Sequence, residues 1–133
     1  MSKKRNLSKI LVIDDDDEYN FLTEDTFTET GLDCCLTFKE RATDTLNYLE
    51  QRKDHFPDLI LLDINMPLMN GWEFLKEYEK RSYHLKYNTQ IIMMSSSVYE
   101  EDKIKAKTFN KVVEYIEKPL SVENIFFIQE NFF

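Results

Sequence analysis

The sequence predicts an α/β protein: a single domain built on a doubly wound, five-stranded parallel sheet with helices on both faces. Three observations carry that expectation. From Lys9 to the C-terminus, short apolar runs alternate with longer stretches of helical periodicity. Several of the runs are continuously apolar instead of alternating, which suits strands buried on both faces, as in a parallel sheet. No internal repeat or linker breaks the alternation across the 133 residues. Right-handed crossovers then leave only a few strand orders.

Taken in order, Lys9–Ile13 is a β-branched apolar run ending in acid, and is expected as β1. Asp17–Thr30 carries Tyr19, Leu22, Thr26 and Phe27 at helical spacing and stops at Gly31. Asp16 or Asp17 can cap this helix, where acids suit the positive end of its dipole. Residues 34–38 read as β2, and residues 40–52 as a helix with Ala42, Leu46 and Leu49 as its stripe. Pro57 precedes β3, residues 59–62. After the Asn70-Gly71 turn comes a helix over 72–83, with Phe74, Leu75 and Tyr78 facing inward. The polar piece 82–89 is expected as a loop, and 90–94 as β4, ended by Ser95-Ser96-Ser97. The helix expected over 100–111 has a thin stripe, chiefly Ile104 and Phe109, and should be the least firmly packed. Residues 112–116 form β5, which exits through Lys118-Pro119. Ser121 caps the last helix, where Ile125, Ile128 and Phe132 share one face and Phe126 and Phe133 fall partly outside it.

Composition narrows the function. The net charge of −8, from 25 acids and 17 bases, argues against a nucleic-acid-binding surface. The one basic cluster, Lys3-Lys4-Arg5 with Lys9, sits at the start, and residues 1–8 are expected to be a flexible, solubilising end. No apolar run approaches the roughly 18 residues of a membrane span, and no signal-peptide core follows the basic start. A cytoplasmic protein without membrane attachment is expected. Cys34 and Cys35 are adjacent, unlike a disulfide framework or a metal-ligand pair, and no Cys/His spacing suits zinc.

The chemistry gathers at the strand exits. Asp14 and Asp15 follow β1, Asp63 ends β3, Ser95 ends β4 and Lys118 follows β5. Alone, each is bland: a helix cap with an acidic turn, a serine loop, a strand exit. In a parallel sheet, however, all these exits lie along one edge, where open α/β sheets place their ligands. Carboxylates brought together there repel by roughly 1–4 kcal/mol per pair. A hard cation with oxygen ligands removes that cost, and Mg2+ fits because one or two carboxylates suffice to hold it. A carboxylate beside such an ion can accept a phosphoryl group as an acyl phosphate. The lysine then offers a mobile point charge to the phosphoryl oxygens, and the serine a hydroxyl donor.

Four motifs carry a resemblance: Leu11-Val-Ile-Asp-Asp15, Leu61-Leu-Asp-Ile-Asn-Met-Pro67 with Gly71, Met94-Ser-Ser96, and Tyr115-Ile-Glu-Lys-Pro119. From Lys9 onward the chain resembles the response-regulator receiver domains of two-component signalling, and among them the single-domain, CheY-like receivers. The resemblance implies a flavodoxin-like sheet of strand order 2-1-3-4-5. It also implies that Asp63 is phosphorylated, and that Mg2+ is held by Asp15 directly, Asp14 through water, Asp63, and the backbone carbonyl of Asn65. Ser95 becomes the switch hydroxyl that follows the phosphoryl group, Lys118 the salt-bridge partner of that group, Tyr115 the switch aromatic, and Pro119 follows a cis bond.

A sensor histidine kinase or histidine phosphotransfer protein would be the donor. The domain would catalyse only its own phosphorylation and dephosphorylation, and would not otherwise be an enzyme. With the chain ending at its last helix, no output domain is expected. Output would pass to a protein partner through the face formed by helix 100–111, β5 and the last helix, the α4–β5–α5 face of a five-helix count. The same face is open to a homodimer. Departures are modest: serine stands at 95 where threonine is frequent, and Asn65 and Ser97 occupy positions that vary in the family.

Two alternatives stand beside this reading. A haloacid-dehalogenase-like phosphatase uses the same residue types, but its nucleophile opens an Asp-x-Asp pattern on its first motif strand. Here the acidic pair comes first, and Asn65 stands two residues after Asp63. A pseudo-receiver would be a binding module that had lost the aspartate, the metal acids or the lysine, and all of them are present.

Overall fold

Strand runs of five or six residues bury both faces only if helices cover the sheet above and below, and the chain does so. The computed structural model describes residues 7–133; the cluster Lys3-Lys4-Arg5 lies outside the described residues. In chain order the elements are β1 (Lys9–Ile13), α1 (Asp17–Thr30), β2 (Cys35–Lys39), α2 (Ala42–Glu50), β3 (Leu59–Asp63) and α3 (Gly71–Lys80). Then follow α4 (Tyr83–Lys86), β4 (Gln90–Ser95), α5 (Glu100–Ala106), β5 (Val112–Glu117) and α6 (Val122–Phe132). The five strands are parallel in the order β2-β1-β3-β4-β5.

Central β3 is buried at every position. The period-two alternation of side chains sorts the core into two layers. Leu11, Ile13, Ile60, Leu62, Ile91 and Met93 pack against α2, α3 and the end of α5. Ile10, Val12, Leu59, Leu61, Ile92 and Met94 pack against α1 and α6. The register aligns Ile13 with Leu62, Asp63 with Met94, and Ser95 with Glu117, so the C-terminal strand ends are level. Three helix starts are fixed by side chains. Asp16 caps α1, Asn70 and Glu73 form a capping box at α3, and Ser121 and Asn124 do the same at α6. Gly31 ends α1 in the left-handed region (φ 71°), which glycine adopts without a Cβ penalty.

Several elements differ from expectation. The 82–89 loop contains a sixth helix, α4. Its polar residues hide an aromatic anchor: Tyr83 is buried edge-on to Phe56 (5.0 Å) and Tyr78 (5.4 Å), and Tyr87 stacks on Phe56 at 3.6 Å. The helix expected over 100–111 stops at Ala106, its only buried residue, and Ile104 is 61% exposed. Phe109 leaves the helix and stacks on Trp72 at 6.2 Å instead. In α1, Leu22 faces solvent and Thr23 takes the inward position. Phe133 turns into the core, while Phe126 and Phe127 are exposed.

β2 begins at Cys35, and Cys34, just before it, donates its Sγ–H to the Leu7 carbonyl at 3.3 Å. Packing therefore reaches back to Leu7, which is buried, and the backbone N–H groups of Ser8 and Lys9 bond the Asp58 carboxylate (3.1 and 2.8 Å). The last two residues of the stretch expected to be flexible are thus tied down. Among the described residues, no helix is long and apolar enough to cross a membrane.

Candidate functional site

The site grows from the ends of β1, β3 and β5. Asp14 leaves β1 with three restraints. Its N–H donates to the Lys39 carbonyl (3.0 Å), its Oδ1 accepts from the Asp16 N–H (2.9 Å), and its carbonyl accepts from Asn20 Nδ2 (3.0 Å). Asp63 ends β3, and the chain folds straight back over it. The Gly71 N–H donates to the Ile64 carbonyl at 2.8 Å, and a Cβ at Gly71 would stand 2.6 Å from the Asp63 carbonyl oxygen. Only glycine allows that approach. Lys118 hangs from β5 by its N–H on the Ser95 carbonyl (2.8 Å), and the Lys118–Pro119 peptide is cis.

These supports bring three carboxylates and one ammonium together. One oxygen each of Asp14, Asp15 and Asp63 lies within 4.8 Å of the others. Lys118 Nζ sits 2.6 Å from Asp14 Oδ2 and 3.1 Å from Asp63 Oδ1. Asp14 and Asp63 are only 6% and 5% exposed, whereas Asp15 is open to solvent. Burial, then the neighbouring Asp14 charge, pushes the Asp63 carboxyl up to about 6 against the pull of Lys118. Asp14 is raised too, mainly by burial. Burial pulls the Lys118 ammonium down, but Asp14 and Asp63 outweigh it and hold the ammonium above its ordinary value. One cation thus faces three acids, two of them buried.

The other expected residues fall into place around this centre. An open acidic depression is lined by Asp15, Asp63, Asn65, Ser96 and Lys118, with Asp16, Asp17 and Glu18 along its rim. Ser95 lies one layer back: it is buried at the end of β4, its Oγ accepting from the Ser97 N–H at 3.2 Å. The Tyr115 hydroxyl donates to the Ser97 carbonyl at 3.1 Å. Ser97 therefore joins Ser95 to Tyr115.

Two residues that touch the site were not expected there: Tyr19 and Asn20. Helical spacing puts Tyr19 in the α1 apolar stripe, yet Lys118 Nζ lies 4.4 Å from the centre of its ring. A cap at Asp16 was the available signal. It fixes the first turn of α1 at the strand exits, and with it Tyr19 and Asn20.

The family model described as "Response regulator receiver domain" matches residues 10–128. The chain belongs to that family. Among curated proteins, this receiver is 39% identical over 84 residues to the sensor histidine kinase CheAY of Helicobacter pylori, covering 62% of the chain and 10% of that protein. It is 29% identical over 118 residues to the probable C4-dicarboxylate response regulator DctR of Bacillus subtilis, covering 88% of the chain and 48% of that protein. It therefore spans a tenth and about half of these two relatives. Among solved structures, it is similar to a two-component response regulator from Cytophaga hutchinsonii, at 28% identity and a TM-score of 0.88, with 95% and 96% of the two chains covered.

The chain is thus a phosphorylatable response-regulator receiver, and the phosphatase and pseudo-receiver alternatives are not favoured. Receivers bind Mg2+ at an acidic pocket, and Asp14, Asp15 and Asp63 form such a pocket here.

Proposed function

We propose that Asp63 is the phosphoryl acceptor of this receiver, and that Asp14, Asp15, Asp63 and Asn65 hold the Mg2+ its reaction requires. One observation carries the reading: Lys118 Nζ lies within 3.1 Å of Asp63 and 2.6 Å of Asp14, beside a third carboxylate. The donor set fits the ion. Three carboxylates against one ammonium leave an uncompensated negative charge, and hard oxygen donors suit Mg2+. Once bound, the ion would neutralise charge on the transferring phosphoryl group.

The chain's own residues do the rest. A phosphohistidine of a sensor kinase or phosphotransfer protein presents its phosphorus to Asp63. As the Oδ–P bond forms, the N–P bond breaks and the electron pair returns to the imidazole. Lys118 swings its ammonium from the Asp63 carboxylate to the phosphoryl oxygens, while Asp14 keeps hold of it. Ser95 donates its hydroxyl to the same group and gives up the Ser97 N–H. The Tyr115 hydroxyl, bonded to the Ser97 carbonyl, then loses its fixed partner and turns inward. The consequence reaches α5, β5 and α6, the face through which a protein partner, or a second copy of the chain, reads the state. Hydrolysis of the acyl phosphate at the same site resets the switch, and no other reaction is assigned to the domain.

The test is labelling by acetyl phosphate. Acid-stable, base-labile incorporation that needs Mg2+ and vanishes in Asp63→Asn is expected. Incorporation that persists in Asp63→Asn overturns the assignment.

A further inference from the structure

We propose that Tyr19 is a positioning residue for Lys118: the face of its ring is the third partner of the ammonium and keeps it in the site when Asp63 is taken up by a phosphoryl group. The inference rests on the reading of Asp63 and Lys118 given above.

A lysine ammonium has three N–H donors. Asp14 Oδ2 takes one at 2.6 Å and Asp63 Oδ1 a second at 3.1 Å. The Tyr19 ring, its centre 4.4 Å from Nζ, takes the third direction. With its side chain only 6% exposed, Lys118 has little access to water, so these three contacts weigh heavily on where its ammonium sits. A ring face attracts a cation through its quadrupole, and more so where water is excluded.

The placement of that ring is built, not incidental. Asp16 caps α1 by accepting from the N–H groups of Glu18 and Tyr19, which fixes the first turn against the end of β1. Tyr19 lines both the open acidic depression and the small void beneath it, so its ring stands as the wall against which Lys118 rests. Of the three partners, the ring alone has no second role in the reaction: Asp63 becomes an acyl phosphate, and Asp14 would be shared with the Mg2+ site. Removing the ring leaves Asp14 alone to keep the lysine in the site at the moment its charge is needed.

The experiment compares Tyr19→Leu, which removes the quadrupole, with Tyr19→Phe, which keeps it and loses only the hydroxyl. Each is titrated with Mg2+ alone and then, at saturating Mg2+, with beryllofluoride as the phosphoryl mimic. Binding is followed by fluorine NMR, and folding is checked by urea midpoint.

Tyr19→Leu is expected to weaken beryllofluoride binding by roughly 3- to 10-fold, the range a partly desolvated cation–π contact supports, with Mg2+ affinity undiminished. Tyr19→Phe should match the wild type in both titrations. Equal beryllofluoride affinity in Tyr19→Leu overturns the inference, as does an equal loss in Tyr19→Phe or a parallel loss of Mg2+ affinity. If wild-type protein binds no beryllofluoride at all, the assignment of Asp63 fails and this inference falls with it.

Discussion

Asp63→Asn should make the metal-free protein more stable at neutral pH, although it removes the residue the site is built around. The carboxyl of Asp63 is moved from 3.8 to about 6 by burial and by Asp14. A folded-state pKa above the unfolded value means that this group favours folding fully only below the unfolded value. That contribution is lost as pH rises through the folded one. Between those limits the fold loses roughly 3 kcal/mol. Water entry and rearrangement of Lys118 reduce this to roughly 1–3 kcal/mol in practice. Asparagine keeps the shape and cannot ionise, so the difference between variant and wild type should be about half a kcal/mol near pH 4 and reach its full value above about pH 7. For a domain of this size the neutral-pH gap corresponds to a rise in Tm of roughly 4–10 °C. Urea unfolding in chelator at several pH values, followed by far-ultraviolet circular dichroism, measures it. Adding Mg2+ should narrow the gap by stabilising the wild type more than the variant, which lacks the Asp63 carboxylate. A variant less stable than wild type at neutral pH, or a gap that ignores pH, refutes the charge argument.

Other expectations follow from the same geometry. Gly71→Ala would place a Cβ 2.6 Å from the Asp63 carbonyl oxygen and 3.0 Å from Ile64 Cα, both backbone atoms. It should cost roughly 1–3 kcal/mol in urea unfolding and slow acetyl-phosphate labelling, because the strand end carrying Asp63 must shift. Lys118→Met leaves Asp14 and Asp63 without a counter-charge, and should destabilise the metal-free protein by up to roughly 3–5 kcal/mol at neutral pH, less at acid pH, where the carboxyls take up protons. Thermal melts at two pH values separate those cases. Tyr83→Ala removes the buried aromatic anchor of α4 and should cost roughly 3–5 kcal/mol in unfolding while labelling of Asp63 is retained in the folded fraction.

What could be read from the chain beforehand follows a physical line. Strand runs and their terminal residues were legible because a doubly covered parallel strand leaves a continuous apolar signature, and Asp63 breaks it abruptly. Joint placement of Asp14, Asp15, Asp63 and Lys118 followed from the parallel arrangement alone. Less visible was whatever depends on which way a side chain turns. Tyr19 looked like a core residue because periodicity cannot separate a ring facing the sheet from one facing a lysine above the strand ends. Ser97 looked like loop, since a residue that works through its own N–H and carbonyl leaves no mark in side-chain pattern. Helix α4 was missed for the opposite reason: Tyr83 and Tyr87 sit among polar neighbours, and their burial comes from Phe56 and Tyr78, distant in sequence.

The connection between site and surface also limits the strength of the switch. If the state of Asp63 reaches the α5–β5–α6 face through Ser97 as proposed, it does so by breaking the Ser95–Ser97 and Tyr115–Ser97 hydrogen bonds and making replacements. Each is worth roughly 0.5–1.5 kcal/mol net, so the bias delivered to the face is about 1–3 kcal/mol. Moving an equilibrium from 1:99 to 99:1 takes about 5.5 kcal/mol. Phosphorylation alone therefore cannot throw the face completely from one state to the other. Either the resting protein already populates the signalling conformation at the level of several per cent, or the partner completes the transition by binding it. Relaxation-dispersion NMR on the unphosphorylated protein decides between them, because a minor state of several per cent is visible at residues of β5 and one well below a per cent is not. Tyr115→Phe, which removes the bond to Ser97, should raise that minor population in the first case and change only partner affinity in the second.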